Sequence, residues 1–514
     1  SGVSGQNFML KYQKPVGSAT LLTVFLNYNQ NYYYQPDTDR GLTAAQAATF
    51  GKNYVLGNDP SLPTYYQYNR TDKNTAFNYV GLQSELGGWN IDDKFYYYNY
   101  TNNTLTTNTA NDPTSVAGNV FLSPTSRTTS LGMPGYRKTN EYWVSGNILK
   151  ASRPTDAGLM RLGLWGEHAK THRSRIDFDV SRDVPNYDQA AVPGLFAGFN
   201  NVLYEQGSSW WNYQPFAEFE YAAAKDLTIT PGVKYMTTTL KINAAVNQSS
   251  RITQDVSKDF NATLPFLTAN YRLNPAWSAY AQYARGMLVP DISSFQSSNA
   301  DITSIQPQRS TNYQAGVVHV GEQVSVDFDG YFIDFNNKIA TLPGTAGSNP
   351  VFYNQGGVTY KGAEGQLTYA LAGGFSVYTN GSLNSAKSKT TGKTIAGAPD
   401  STAALGLLYR RGPWSGTLLH KRVGSQYALD DEGYKMNPYS TSDVSLGYTI
   451  TNPGIGAKTL RINASIFNLL NRQDVITVTP KNTAVGPTYG TVNVGDQFLW
   501  QPARSYMVSA RAEF

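Results

Sequence analysis

The chain contains no cysteine and only four histidines in 514 residues. It therefore has no disulfide, no thiolate metal site and no thiol nucleophile. That absence suits an oxidising compartment, where a stray thiol is a liability. Long apolar runs are missing too. The longest clean one, residues 20–26, falls far short of the roughly 18 to 20 residues that a membrane-spanning helix needs. Charge is scarce. There are 41 basic and 36 acidic residues, a net charge of +5 that is too small over this length to indicate a nucleic-acid partner. With charged residues at 15%, the mean hydropathy of −0.40 comes from Asn, Gln, Ser, Thr, Gly and Tyr.

What is abundant is aromatic surface, with 37 Tyr, 22 Phe and 8 Trp, and alternation of period two. Leu460, Ile462, Ala464 and Ile466 alternate with Arg461, Asn463, Ser465 and Phe467. Val444, Leu446, Tyr448 and Ile450 alternate with Ser445, Gly447 and Thr449. Val324, Val326, Phe328 and Phe332 alternate with Ser325, Asp327, Asp329 and Tyr331. Strands that separate an apolar solvent from a polar one read this way. About nineteen such segments can be counted, several longer than the roughly 5–6 residues usual in globular sheets.

Their connections alternate in length. Short turns such as 15–18, 87–88, 222–225 and 411–412 follow the odd strands. Long polar loops, about 34–72, 102–138, 170–208 and 472–496, follow the even ones. This asymmetry predicts an all-β, transmembrane, antiparallel up-and-down barrel of the outer-membrane type, with its short turns in the periplasm. Trp89, Trp277, Phe375 and Trp414 each fall just after a short turn, as an interfacial aromatic girdle requires. In the last segment Tyr506, Val508, Ala510, Ala512 and the terminal Phe514 share one face. Asp327, Asp329, Arg461, Asn463 and Arg511 are expected to line the lumen.

Over residues 205–514 the chain resembles the barrel portion of the TonB-dependent outer-membrane receptors. Ile466-Phe-Asn-Leu-Leu-Asn-Arg-Gln-Asp474 resembles the family's penultimate-strand motif, and Phe498-Leu-Trp-Gln-Pro-Ala-Arg504 its Pro-x-Arg entry into the last strand. Gln306-Pro-Gln-Arg-Ser-Thr-Asn-Tyr-Gln-Ala-Gly316 resembles a third segment, with Gln308 and Gln314 in place of the usual glutamates. Residues 331–339 and 357–364 fit the strands that follow. The resemblance implies energised uptake of a scarce, bulky nutrient, most commonly a ferric siderophore, in the outer membrane of a Gram-negative bacterium. The alternative is a passive porin or substrate-specific channel of 16 to 18 strands. The implied partners are the TonB complex acting through a plug domain, a small-molecule metal chelate, and outer-membrane lipid and lipopolysaccharide. The protein is expected to be a monomer that binds no nucleic acid. The family's plug and energy-coupling box are not visible in the sequence. Bacterial single-chain barrels have an even strand number, so about nineteen strands of an expected 22 predict that residues 1–514 form one barrel domain, with three strands and the plug preceding Ser1.

Neither catalysis nor a cofactor is expected. No Gly-x-Ser-x-Gly elbow, P-loop or dinucleotide fingerprint is present. His168 and His172 stand at the spacing of a helical zinc pair, but on a strand that spacing puts them roughly 13 Å apart. Asp430, Asp431 and Glu432 read as a solvated loop tip rather than a Ca²⁺ site. Ligand-binding candidates lie in the long loops and at the outer rim. They are an aromatic cluster (Tyr65, Tyr66, Tyr68), a basic cluster (Arg173, Arg175, Arg182) and a rim group (Trp210, Trp211, Tyr213). Aromatics with arginines suit an anionic or aromatic chelate through stacking, cation–π contact and charge-assisted hydrogen bonds. The plainer reading assigns the arginines to lipopolysaccharide phosphates and the rim aromatics to an outer girdle.

Overall fold

The computed structural model describes all residues except 1, 38–40, 111, 116–118, 123–128, 186–200, 249–250, 297–304, 343–350, 431 and 480–494. Long strands follow one another in antiparallel order: β1 (Val3–Val16), β2 (Thr20–Tyr34), β3 (Arg70–Leu86), β4 (Trp89–Thr107), β5 (Pro134–Thr155), β6 (Gly158–Asp179), β7 (Val202–Ala224), β8 (Leu227–Val246), β9 (Gln254–Arg272), β10 (Trp277–Leu288), β11 (Gln308–Val320), β12 (Val324–Leu342), β13 (Val351–Ala370), β14 (Phe375–Ser388), β15 (Ser401–Arg411), β16 (Trp414–Val423), β17 (Tyr439–Thr451), β18 (Thr459–Phe467) and β19 (Ser505–Glu513). Each pairs with the next in a single sheet, which also takes in the two-residue piece Val184–Pro185. Among the described residues no ladder joins β1 to β19. The sheet nevertheless curls round on itself. The first outer loop pairs through Leu42–Thr43 with the strand Gln497–Trp500 of the last one, and Lys52 Nζ donates to the Gln473 carbonyl at 3.2 Å.

The burial pattern is that of a protein between two solvents. Large apolar side chains point outward along the strands, with Phe328 53%, Leu383 67% and Leu446 52% exposed. Their alternate neighbours turn into the lumen. Asp327, Asp329, Arg461, Asn463 and Arg511 all lie on that inner face, because directly paired residues share a face. The terminal strand keeps Tyr506, Val508, Ala510, Ala512 and Phe514 on the outer one. No helix among the described residues is long and apolar enough to cross a membrane; the crossing is made by strands.

The turns alternate as the sequence implies. Gly87 and Gly88 join β3 to β4 with φ of 59° and 79°, the left-handed pair that a two-residue hairpin turn demands and that glycine adopts without a Cβ clash. The girdle is paired across strands: Trp277 with His319 at 4.6 Å between rings, Phe375 with Tyr409 at 4.7 Å, and Trp414 with Tyr448 at 4.6 Å.

Two sequence expectations are corrected. Segments assigned to the loops 102–138 and 170–208 are in part strand, since β4, β5, β6 and β7 run on beyond the membrane band. There both faces meet water or protein, the alternation fades, and the period-two signal is lost. The last segment, expected as one strand over 497–514, is two pieces separated at Pro502, which has no amide to give a ladder. Asn468 fixes that break. Its side-chain amide donates to the carbonyls of Arg472 (2.6 Å) and Pro502 (2.8 Å), and its Oδ1 accepts from the Arg472 amide at 3.0 Å. Asn471 Oδ1 accepts from the Arg504 amide at 2.9 Å. The two C-terminal motifs thus form one interlocked corner that aims β19 into the sheet.

Candidate functional site at the outer mouth

The outer ends of β5, β6 and β7 build one wall of the mouth. In β6 the odd positions face inward, which sets Arg173 and Arg175 on the luminal side. Arg175 is paired with Lys138 of β5 and with Tyr204 of β7. Its guanidinium lies 3.7 Å from the Tyr136 ring centroid, and that of Arg173 lies 4.4 Å from the Tyr204 ring. Each cation is therefore stacked on a phenol that holds it flat against the wall. Tyr136 donates to Asp37 Oδ2 at 2.9 Å, and Lys138 forms an ion pair with the same carboxylate. Burial first, and then the Asp37 charge, push the Tyr136 phenol well above its ordinary pKa, so it stays a neutral donor.

Arg173 carries a second task. Its Nη1 donates to Gln296 Oε1 at 2.6 Å and its Nη2 to Gln248 Oε1 at 2.8 Å. Gln296 ends the short helix α1 (Ile292–Gln296) and also donates to Ser208 Oγ at 2.8 Å, while its carbonyl accepts from Gln206 Nε2 at 3.0 Å. This anchors the β10–β11 loop inside the mouth, where Phe295 and Ile305 pack on Leu240, Ile242 and Phe260. The buried Nε of Arg173 makes no hydrogen bond among the described residues, and that of Arg175 is beyond hydrogen-bond reach of its ion-pair partner, Asp177 Oδ1 at 3.9 Å.

Arg182 is not part of that wall. It sits just past β6 and pairs with Asp179, a carboxylate 1% exposed that also accepts from the amides of Met133 (3.1 Å) and Ser181 (3.0 Å) and from Ser181 Oγ (2.7 Å). Burial pushes this carboxyl up. The bonds from Ser181, Arg182 and Met133 outweigh it and hold the pKa below the ordinary carboxylate value.

Tyr65, Tyr66 and Tyr68 surround a single turn, with ring centroids 5.1 and 5.0 Å apart. Buried Asn69 locks the turn to β4 by accepting from the Thr107 amide at 3.0 Å and from Thr106 Oγ1 at 2.7 Å. Tyr68 packs on Leu105, Met133, Phe178 and Val180. The tyrosine turn and the Asp179–Arg182 corner thus meet at the end of β6.

The rim group divides. Trp210 faces inward and donates to Glu167 Oε1 at 3.0 Å, whose Oε2 accepts from Tyr96 at 2.6 Å. Trp211 and Tyr213 face outward, each 45% exposed, with Trp211 stacked on His168 at 3.9 Å and Tyr213 continuing the row. His172 meets Glu205 on that outward face. Both histidines sit on a strand and serve cross-strand contacts. Asp430 accepts from Lys338 Nζ at 2.9 Å and from the Ala396 amide at 2.9 Å, and Glu432 from the Thr394 amide at 3.2 Å, so these two carboxylates tie outer loops together; Asp431 lies outside the described residues. No group of three or more metal-ligating side chains occurs among the described residues.

Sequence reading missed Tyr136, Lys138, Tyr204, Gln206 and Gln296. Counting back by twos from Trp210 on β7 reaches Gln206 and Tyr204. Gln296, on a separate loop, left no such signal.

The TonB dependent receptor-like, beta-barrel family model matches residues 12–469. The chain belongs to the TonB-dependent receptor family. These receptors reside in the outer membrane of Gram-negative bacteria, bind small molecules and work with TonB. Among solved structures, this receptor chain is similar to the ferric citrate transporter FecA (TM-score 0.70, 16% identity, 99% of this chain and 70% of that one). It is similar to the ferric yersiniabactin uptake receptor FyuA from Yersinia pestis (TM-score 0.70, 14% identity, 100% and 71%). It is also similar to the copper transporter OprC (TM-score 0.62, 14% identity, 99% and 79%). At such identities the likeness concerns the fold. No curated protein matches the chain by sequence.

Proposed function

We propose that this receptor takes up an anionic metal chelate, a ferric siderophore being the leading class, and that the chelate is received at the luminal wall of Arg175 on Tyr136 and Arg173 on Tyr204. The observation that carries the reading is the stacked pair of guanidinium groups on the luminal face; the buried Nε of Arg173 makes no hydrogen bond among the described residues, and that of Arg175 faces Asp177 Oδ1 only at 3.9 Å. Such a wall offers flat π surface and positive charge together, which suits carboxylate, hydroxamate or phenolate oxygens around a metal. Tyr65 and Tyr66 extend it at the rim, and Trp210 lies deeper on the path; Trp211 and Tyr213 face away. A plug of the family's kind would occupy the polar lumen and couple release to TonB. The passive-channel alternative calls for 16 to 18 strands and is disfavoured by the strand count.

Arg175→Ala is the cleaner test, because Arg173 also anchors Gln296. Loss of one charge-assisted contact of about 1.5–3 kcal/mol should weaken chelate binding roughly ten- to hundredfold. The dissociation constant, measured by tryptophan quenching against a panel of ferric chelates, provides the readout. An unchanged constant in both Arg175→Ala and the Arg173→Ala, Arg175→Ala double variant would remove this wall from the binding site.

A further inference from the structure

The outward face of β1 to β4 holds two opposite charges, Lys14 and Asp93, that do not meet each other. Lys14 on β1, Leu22 on β2, Leu82 on β3 and Asp93 on β4 are consecutive cross-strand partners. Asp93 shares the outward face of β4 with Phe95 and Tyr97, 56% and 40% exposed. It stands four residues above Trp89 of the periplasmic girdle. On a strand tilted by about 40° that is about 10 Å into a lipid band of about 25 Å. Its partner is Asn147 on β5, whose Nδ2 donates to Asp93 Oδ1 at 2.7 Å. Asn147 in turn lies four residues below the outward Trp143, so the pair sits between the two interfaces. Neither Asp93 nor Lys14 makes an ion pair among the described residues. Elsewhere the lipid-facing side shows exposed apolar side chains such as Val233, Leu267, Phe328, Leu407 and Ile462.

A carboxylate facing hydrocarbon is costly unless a cation meets it, and one amide donor does not neutralise it. Lys14 of the same chain cannot. Three interstrand steps, about 14 Å, separate the two, with Leu22 and Leu82 between. The row has the symmetry to be completed by a copy of itself. A two-fold axis along the membrane normal, passing between Leu22 and Leu82, sets Lys14 of one copy opposite Asp93 of the other, and does so twice. Lys14 lies two residues from the end of β1, roughly 5 Å nearer the periplasm than Asp93, a gap its four-carbon stem spans. We infer that the outward face of β1 to β4 is the interface of a homodimer in the membrane, held by reciprocal Lys14–Asp93 ion pairs, in place of the monomer expected from the sequence. Apolar contact alone does not select this face, because lipid tails are as apolar as leucine; polar pairs favour one neighbour over another. A lipid headgroup is no substitute for the second copy, since headgroups lie at the level of the girdle, about 10 Å below Asp93.

The chain has no cysteine, so a single introduced thiol reports its own neighbour. Leu82→Cys sits beside the axis and should give a disulfide-linked pair of chains when intact outer membranes are oxidised. Leu418→Cys, exposed on the outward face of β16, should not. In liposomes the dimer fraction is read by fluorescence transfer between copies labelled at the Leu418→Cys thiol, as added lipid dilutes the protein. Asp93→Asn removes both ion pairs and should raise the dissociation constant of the dimer roughly tenfold to a hundredfold. Lys14→Gln should do the same. The exchanged variant Lys14→Asp, Asp93→Lys keeps both pairs and should restore the dimer, which a merely structural role for Asp93 would not. Equal cross-linking of Leu82→Cys and Leu418→Cys in the membrane would overturn the proposal even if the Asp93 variants failed to fold. So would cross-linking of Leu82→Cys to a different protein in place of a second copy, and so would a folded Asp93→Asn variant with the dimer fraction of the unaltered protein.

Discussion

Replacing Asp179 by alanine should loosen the outer corner of β5 and β6 without opening the sheet. The carboxylate gathers the Met133 amide, the Ser181 amide and hydroxyl, and Arg182. Met133 is 3% exposed, so its orphaned amide cannot regain water, at a cost of about 1–3 kcal/mol. Ser181 and Arg182 lie nearer the surface and recover solvent, adding about 1 kcal/mol between them. A local loss of about 3 kcal/mol raises opening of this corner roughly a hundredfold. Hydrogen exchange of the amides of residues 133–136 and 177–181, read by mass spectrometry, measures it directly. Asp179→Asn keeps an acceptor for the two amides and should show a smaller increase. The pH dependence has a defined sign. The folded carboxyl pKa lies below its unfolded value of about 3.9. Its contribution is therefore complete above that value and is lost as pH falls through the folded pKa. Corrected for intrinsic rates, exchange here should be flat from about pH 7 to 5 and rise below about 4, and Asp179→Ala should lack that acid rise. A change below threefold at neutral pH would refute the reasoning, since it would mean the amides find other acceptors.

Asn468→Ala should strand three backbone groups at a residue only 7% exposed, costing about 2–4 kcal/mol and reducing the share of chain that runs as folded, heat-modifiable barrel on a gel; an undiminished share would show that the corner is not needed to place β19. Trp210→Ala should lower thermal stability, by about 3–5 kcal/mol, because it removes both the Glu167 bond and packing on Leu240 and Phe260. Trp211→Ala, on the outward face, should leave chelate affinity within twofold, and a large loss there would mean that the ligand reaches the lipid-facing side.

Period two was legible wherever a strand separates lipid from lumen, because a one-residue slip would move every apolar side chain to the wrong solvent. That is why the inward positions Asp327, Asp329, Arg461, Asn463 and Arg511, the periplasmic girdle and the terminal strand can be read from order alone. Above the membrane the constraint disappears. The extensions of β4 to β7 read as polar loop, yet ladder pairing continues through them and sets Arg173 and Arg175 on one wall. The split of Trp210 from Trp211 also follows from period two, once the strand is known to pass through both.

The sequence by itself determined the class of fold, the number of long strands and which side chains meet lipid, since hydrophobic alternation is a local property that each strand must satisfy alone. Only the tertiary structure decided which phenol lies under which arginine, and that Gln296 arrives from a loop more than a hundred residues away to hold Arg173. Those arrangements depend on strand register and on where loops fold back, and both are fixed by partners far apart in the chain.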